Sequence, residues 1–243
     1  MKERGLDATT YIAMRYWEPF TGKVIQEILK DKITNLIIVP LYPQYSISTT
    51  GSSLRVLEEA FKQNPALKDI RKVTIESWFN QEEYIKAQAS LIEKTLQEKY
   101  DDQNRPHIFF SAHGVPESYI TQDGDLYKQQ MEDCVRFIMN DLKASGFSND
   151  HTLAYQSRVG PVQWLKPYTD DEIPKLAKDG VKDLCVVPIS FVSDHIETLE
   201  EIDQEYRELA EENGITGWSR VPALNIDPKF INALADMIID KLP

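Results

Sequence analysis

Cysteine is scarce. The 243-residue chain has two, Cys134 and Cys185, far apart and each set in an apolar stretch. Neither has a neighbour at zinc or iron–sulfur spacing, so buried free thiols in a reducing compartment are expected rather than a disulfide or a cysteine-held metal. Long apolar runs are missing as well, and none approaches the length needed to cross a bilayer. The opening, Met1 to Thr10, lacks the cationic-then-apolar order of a secretory leader. Basic residues are outnumbered, 27 Lys and Arg against 39 Asp and Glu, for a net charge of -12. Without a basic stripe, nucleic acid is not an expected partner. The same acidity suits the gathering of cations, or simply solubility. Glycine-rich phosphate fingerprints, the Gly-x-Ser-x-Gly elbow and the His-Glu-x-x-His pair are absent too.

What is present is an alternation. With 42% hydrophobic and 27% charged residues, the chain can build one large or two small cores. Leu36 to Val39 is a continuous apolar run ended by Pro40, as expected of a strand buried on both faces. Further strands are expected at Val73 to Trp78, Ile108 to Ala112, Thr152 to Tyr155, Leu184 to Ile189 and Ser219 to Leu224, with another apolar strand ahead of Arg15. Helical periodicity fills residues 19–31, 51–63, 81–99, 126–145, 169–178, 194–213 and 228–242 between them. Strand alternating with helix predicts an α/β fold of parallel sheets with crossover helices. One echo is visible: Asn35 to Leu41 resembles Asp183 to Ile189, and each precedes a Ser-containing loop and a helix carrying Leu-Glu-Glu. It reads either as two related lobes with a cleft between them or as chance similarity of two buried strands. The division is placed after the polar stretch Asp101 to Pro106, giving lobes at residues 1–105 and 106–243.

Four segments carry chemistry. Ser111-Ala112-His113-Gly114-Val115-Pro116 puts an imidazole just past a strand's carboxyl end, where clefts form in open parallel sheets. It reads as a metal ligand or proton acceptor, or as a histidine satisfied by loop carbonyls. The stretch after the strand ending at Ile189 holds His195 and then Glu197, Glu201 and Glu205, three carboxylates at four-residue spacing on one helix face. Their mutual repulsion is offset by a bound cation or shared protons, or the row is a solvated acidic face. Ser193 or Asp194 is expected to cap that helix. Around Tyr155 to Leu165, Trp164 either lays its ring against a flat ligand or anchors the core, and Arg158 suits a carboxylate. Finally, Tyr42 to Ser53 forms an anion cradle ahead of a helix, or an ordinary Ser/Thr cap, with Arg15 and Tyr16 pointing to the same cleft.

Taken together these segments resemble the ferrochelatase family, closest to its plant and cyanobacterial type. The likeness rests on Ser111 to Pro116, Gln156 to Pro161 with Trp164, Ser193 to Leu199, Met14 to Trp17, and Tyr42 to Tyr45 with Gly51 to Ser53, in the family's order along nearly the whole chain. It implies two Rossmann-like, chelatase-type lobes and insertion of ferrous iron into protoporphyrin IX to form protohaem. Alternatives are a binding-only or inactive piece, or a chelatase for coproporphyrin or another metal and tetrapyrrole. Cobalt-inserting relatives usually carry a second His where Glu197 stands. By the same resemblance His113 and Glu197 are the catalytic pair facing the ring centre. Glu201 and Glu205 extend a metal or proton path outward, and Arg15, Tyr16, Tyr42, Ser46, Trp164 and His195 line the porphyrin pocket. Iron is a substrate and no cofactor is held permanently. Animal-type members carry an iron–sulfur cluster, but Ile47 fills the position of one of its cysteines, so none is expected. Family members also have a stretch ahead of the point where this chain begins, so the first lobe is expected to be incomplete. The implied partners are porphyrin and ferrous ion, in a monomer or dimer without a membrane span but compatible with peripheral membrane contact. The implied location is a bacterial cytoplasm or the plastid stroma or membrane surface.

Overall fold

In a computed structural model, residues 4–101 and 105–243 are described. Along the chain come α1 (Thr21–Asp31), β1 (Asn35–Ile38), α2 (Thr50–Gln63), β2 (Arg71–Thr74) and α3 (Glu82–Lys99). They are followed by β3 (His107–His113), α4 (Glu117–Thr121), α5 (Tyr127–Ala144), β4 (His151–Gln156), α6 (Thr169–Lys178) and β5 (Asp183–Pro188). A π-helical stretch, Glu197–Tyr206, then runs directly into α7 (Arg207–Glu212), before β6 (Gly217–Arg220) and α8 (Pro228–Ile239).

The strands form two parallel sheets: β1 beside β2, and a four-stranded sheet in the order β4-β3-β5-β6. The α/β alternation therefore has the architecture that its periodicity predicts. The central strands β3 and β5 are buried on both faces, which is why Ile108 to Ala112 and Leu184 to Val187 read as unbroken small and apolar runs rather than alternating ones. The echoed segments hold matching places: β1 leads through α2 to its parallel neighbour β2, and β5 leads through the π stretch and α7 to β6.

Helices cover the larger sheet with stripes of apolar side chains. On α5, Tyr127, Met131, Cys134, Val135, Ile138 and Leu142 recur at three- and four-residue spacing and are buried. They join Tyr84, Ile85, Ile92 and Leu96 of α3 and Phe230 and Met237 of α8 in one core. Both cysteines are buried free thiols, and burial pushes each up to about 12. Trp78 ties the loop after β1 to this core. Its indole donates to the Pro40 carbonyl at 3.0 Å, and its ring lies edge-on to Tyr84 with centroids 5.0 Å apart.

Three local expectations need correction. No strand forms at Tyr11 to Met14; Met14 makes an isolated bridge with Phe20, and among the described residues no strand lies beside it to take up its backbone bonds. The second strand begins and ends earlier than Val73 to Trp78, since pairing with β1 starts at Arg71 and the chain then turns inward to bury Trp78. The last strand likewise occupies Gly217–Arg220, fixed by its ladder to Asp183 to Val186. Among the described residues, no helix is long and apolar enough to cross a membrane.

Candidate functional site

The carboxyl ends of β3, β4 and β5 converge, and each delivers polar side chains to one place. His113 is the last residue of β3. Its backbone N–H donates to Ser190 Oγ at 2.9 Å, and its carbonyl accepts from the Tyr127 hydroxyl at 2.8 Å. The main chain beneath the imidazole is thus held from two other elements. Gly114 follows because nothing larger fits: a Cβ there would lie 2.8 Å from the Gln156 carbonyl oxygen and 3.3 Å from the Trp164 ring.

Glu197 opens the π stretch, and its Oε2 lies 2.8 Å from His113 Nδ1. Burial would lift this carboxyl, but the hydrogen bond and charge of His113, the Ser157 hydroxyl and His195 outweigh it and hold it below the usual carboxylate range. An ionised Glu197 can only accept, so Nδ1 carries the proton of this bond. The outer imidazole nitrogen, Nε2, then has a lone pair for a proton or a metal in the neutral ring.

A second carboxylate is coupled to the first through a hydroxyl. Ser157, directly after β4 at φ 63°, reaches Glu197 Oε2 at 3.1 Å and Glu201 Oε2 at 2.7 Å. Gln156 donates to the same Glu201 oxygen at 3.1 Å, with its own amide oriented by buried Ser111 at 2.6 Å. The other oxygen, Glu201 Oε1, accepts from the Tyr206 hydroxyl at 2.8 Å. Burial, then the neighbouring Glu201 charge, raises that phenol well above its ordinary range, so it stays a donor. Glu205 stands apart: it is exposed, and its side chain makes no hydrogen bond to any described residue.

The start of the π stretch is tied down without the expected cap. Neither Ser193 nor Asp194 caps it; Asp194 binds Arg220 at 2.7 Å and Asn225 at 2.7 Å instead. Burial alone would raise the Asp194 carboxyl, but Asn225 and Arg220 hold it down. Arg220 also pairs with Asp203 further along the same stretch. His195 accepts the Glu197 N–H through Nδ1 at 3.2 Å. The Phe191 ring stands between the two imidazoles, edge-on to each, with centroids 4.5 Å from His195 and 6.3 Å from His113.

Trp164 lies over Gly114, half-buried, with its indole N–H on the Val159 carbonyl at 2.9 Å. Tyr155 is in the core, and Arg158 is paired with Asp170. The remaining candidates form a separate group around the start of α2. Arg15 donates to Ser52 Oγ at 3.1 Å with its guanidinium 4.7 Å from the Tyr16 ring centre. Tyr42, raised by burial and by nearby Tyr16, joins them. Ser46 is fully buried, and its hydroxyl donates to Asp125 at 2.8 Å. No three His, Cys, Asp or Glu side chains among the described residues are arranged to hold a metal ion by themselves.

Three residues of the site do not stand out from the sequence. Ser157 and Gln156 are visible there only as parts of a motif, and Tyr206 not at all. A polar pair at the carboxyl end of a buried strand is the available signal for the first two. For Tyr206 there is none, because its contact depends on the π geometry.

The sequence profile of the ferrochelatase family matches residues 1–242. Ferrochelatase-1 of Arabidopsis thaliana, named as chloroplastic/mitochondrial, is 57% identical over all 243 residues, and the chain spans 52% of that relative. The ferrochelatase of Gloeothece citriformis is 54% identical over 242 residues, and the chain spans 62% of it. The chain thus spans about half to three-fifths of the length of these curated relatives. Among solved structures, SirB from Bacillus subtilis with Fe3+ superposes over 93% of this chain and 79% of its own, with a TM-score of 0.64 at 14% identity, a likeness of fold. By the match along its whole length, this chain belongs to the ferrochelatase family.

Proposed function

We propose that this chain carries the metal-insertion site of a ferrochelatase, placing ferrous iron in protoporphyrin IX to give protohaem. The observation that carries the reading is the His113–Glu197 pair, 2.8 Å apart and part-exposed where three parallel strands end. Insertion exchanges one divalent ion for two pyrrole protons, so the site must take up protons as well as guide a cation. In this reading Nε2 of neutral His113 accepts the two pyrrole protons one after the other, releasing each to solvent before taking the next, and the ionised Glu197 on Nδ1 stabilises the imidazolium that forms each time. Glu201, coupled through Ser157, supplies the next negative charge on the way out, and hard carboxylate oxygens suit a divalent ion in transit. Trp164 and Phe191 place aromatic rings beside the pair.

Iron–sulfur chemistry has no part in this proposal; both thiols lie in the core and burial keeps them protonated. The likeness to a relative named chloroplastic/mitochondrial and to one from Gloeothece citriformis supports placing the chain in a bacterial cytoplasm or at the stroma or membrane surface of a plastid. The test is incubation of the purified chain with zinc or ferrous ion and a dicarboxylic porphyrin, followed in the Soret band. Metalloporphyrin formation supports the reading. A Soret shift without product would make the chain a porphyrin-binding module instead.

A further inference from the structure

Tyr206 sits five residues after Glu201, a spacing at which helical side chains do not ordinarily meet. At 3.6 residues per turn, five residues advance an α-helix by about 1.4 turns and point the two side chains well apart. In Glu197–Tyr206 the helix is wider, with bonds running from residue i to i+5, so residues five apart stack on each other. That stacking brings the Tyr206 hydroxyl to within 2.8 Å of Glu201 Oε1. Glu201 then faces the strand ends with its other oxygen, where it meets Ser157 at 2.7 Å and Gln156 at 3.1 Å. The Tyr206 ring itself is anchored, packed on the smaller core of Phe109, Ile173, Val186 and Ile202. A rigid ring carrying one donor is well suited to holding a mobile Glu side chain in one rotamer.

We propose that Tyr206 is a positioning residue for the insertion reaction: through the wide turn it fixes the Glu201 carboxylate against Ser157 and so keeps the second charge of the site in line with His113 and Glu197. The proposal rests on the metal-insertion reading above and adds a residue to it.

The test is Tyr206→Phe, which keeps the ring in the core and removes only the hydroxyl. With zinc and a dicarboxylic porphyrin, kcat falls roughly tenfold, the scale of a lost hydrogen bond to a charged group, and KM for porphyrin is unchanged. In a Glu201→Ala background the same change alters kcat by no more than about twofold, because the group it positions is gone. A kcat for Tyr206→Phe within about twofold of the unmodified chain would overturn the proposal, as would a tenfold loss that persists beside Glu201→Ala. An unmodified chain without turnover would instead count against the metal-insertion reading. The crystal structure of the Tyr206→Phe chain then decides the positioning role by itself. Glu201 turned away from Ser157 supports it, and Glu201 still hydrogen-bonded to Ser157 Oγ overturns it.

Discussion

Substituting Gly114 by Ala puts a methyl group in place of a hydrogen at the narrowest point beside His113. The new Cβ would lie 2.8 Å from the Gln156 carbonyl oxygen and 3.3 Å from Cε3 of Trp164. Neither neighbour can retreat freely. The Gln156 carbonyl ends the β3–β4 ladder and accepts the Gly114 N–H at 2.9 Å. Trp164 is pinned by its indole bond to Val159 and by its bridge to Pro116. Overpacking of this kind costs about 1–3 kcal/mol, while the lower entropy of an unfolded Ala returns roughly 0.4–1 kcal/mol. A net loss of about 1–2 kcal/mol corresponds, for a chain of this size, to a melting point lower by roughly 2–8 °C. The displaced strand end carries His113, so on the proposed function metal insertion slows by about tenfold or more, since small misplacements of reacting groups are costly. Thermal melts by circular dichroism and Soret-monitored zinc insertion measure both effects. A Gly114→Ala chain with unchanged melting point and full turnover would show that the contact at Gly114 is not as tight as described.

Three further outcomes follow from separate parts of the structure. Asp125 is buried and accepts from Ser46 Oγ and the Ile47 and Tyr127 amides, so Asp125→Ala strands three donors. It should cost about 3 kcal/mol, seen as a lower urea midpoint; a loss under about 0.5 kcal/mol would refute the account of that link. The folded Glu197 carboxyl lies below its usual range, so its contribution is present above the unfolded carboxylate value and is lost as pH falls through the depressed folded value. The stability gap between the native chain and Glu197→Gln therefore narrows on acidification below the ordinary carboxylate range, and a gap that widens there contradicts the assignment. Cys134 and Cys185, each pushed up to about 12 by burial, should resist a thiol reagent at neutral pH until the chain is unfolded. Rapid labelling of the native protein would show the thiols to be open.

Much of this molecule is legible in its residues, and the exceptions share a cause. Apolar runs such as Leu184 to Val187 name buried strands because both faces of β5 are covered, and the stripe on α5 names a helix by the same logic of burial. His113 and Glu197 are visible as polar residues at or beyond the carboxyl ends of parallel strands, the family resemblance pairs them, and the two are joined at 2.8 Å. Glu205 follows Glu201 by four residues, as Glu201 follows Glu197, and it is exposed. In the wider turn of the π stretch a residue five positions on also reaches that face, and the hydrogen-bond partner of Glu201 Oε1 is Tyr206. No local pattern announces the wider turn, which lies where Arg220 pairs with Asp194 and Asp203. Ser46 shows the same limit. A hydroxyl before a helix has the pattern of a ligand cradle, whereas Asp125, 79 residues away, takes it up in a buried link.

The most direct measurement is the rate of zinc insertion into a dicarboxylic porphyrin by the unmodified chain and by His113→Ala, with circular dichroism to confirm that both are folded. Loss of at least about a hundredfold in the variant, with the spectrum of the fold retained, is the predicted result for the removal of a proton-accepting group at the reacting ring. A folded His113→Ala chain that fills the porphyrin at the unmodified rate would contradict the assignment of the reaction to this imidazole and its carboxylate.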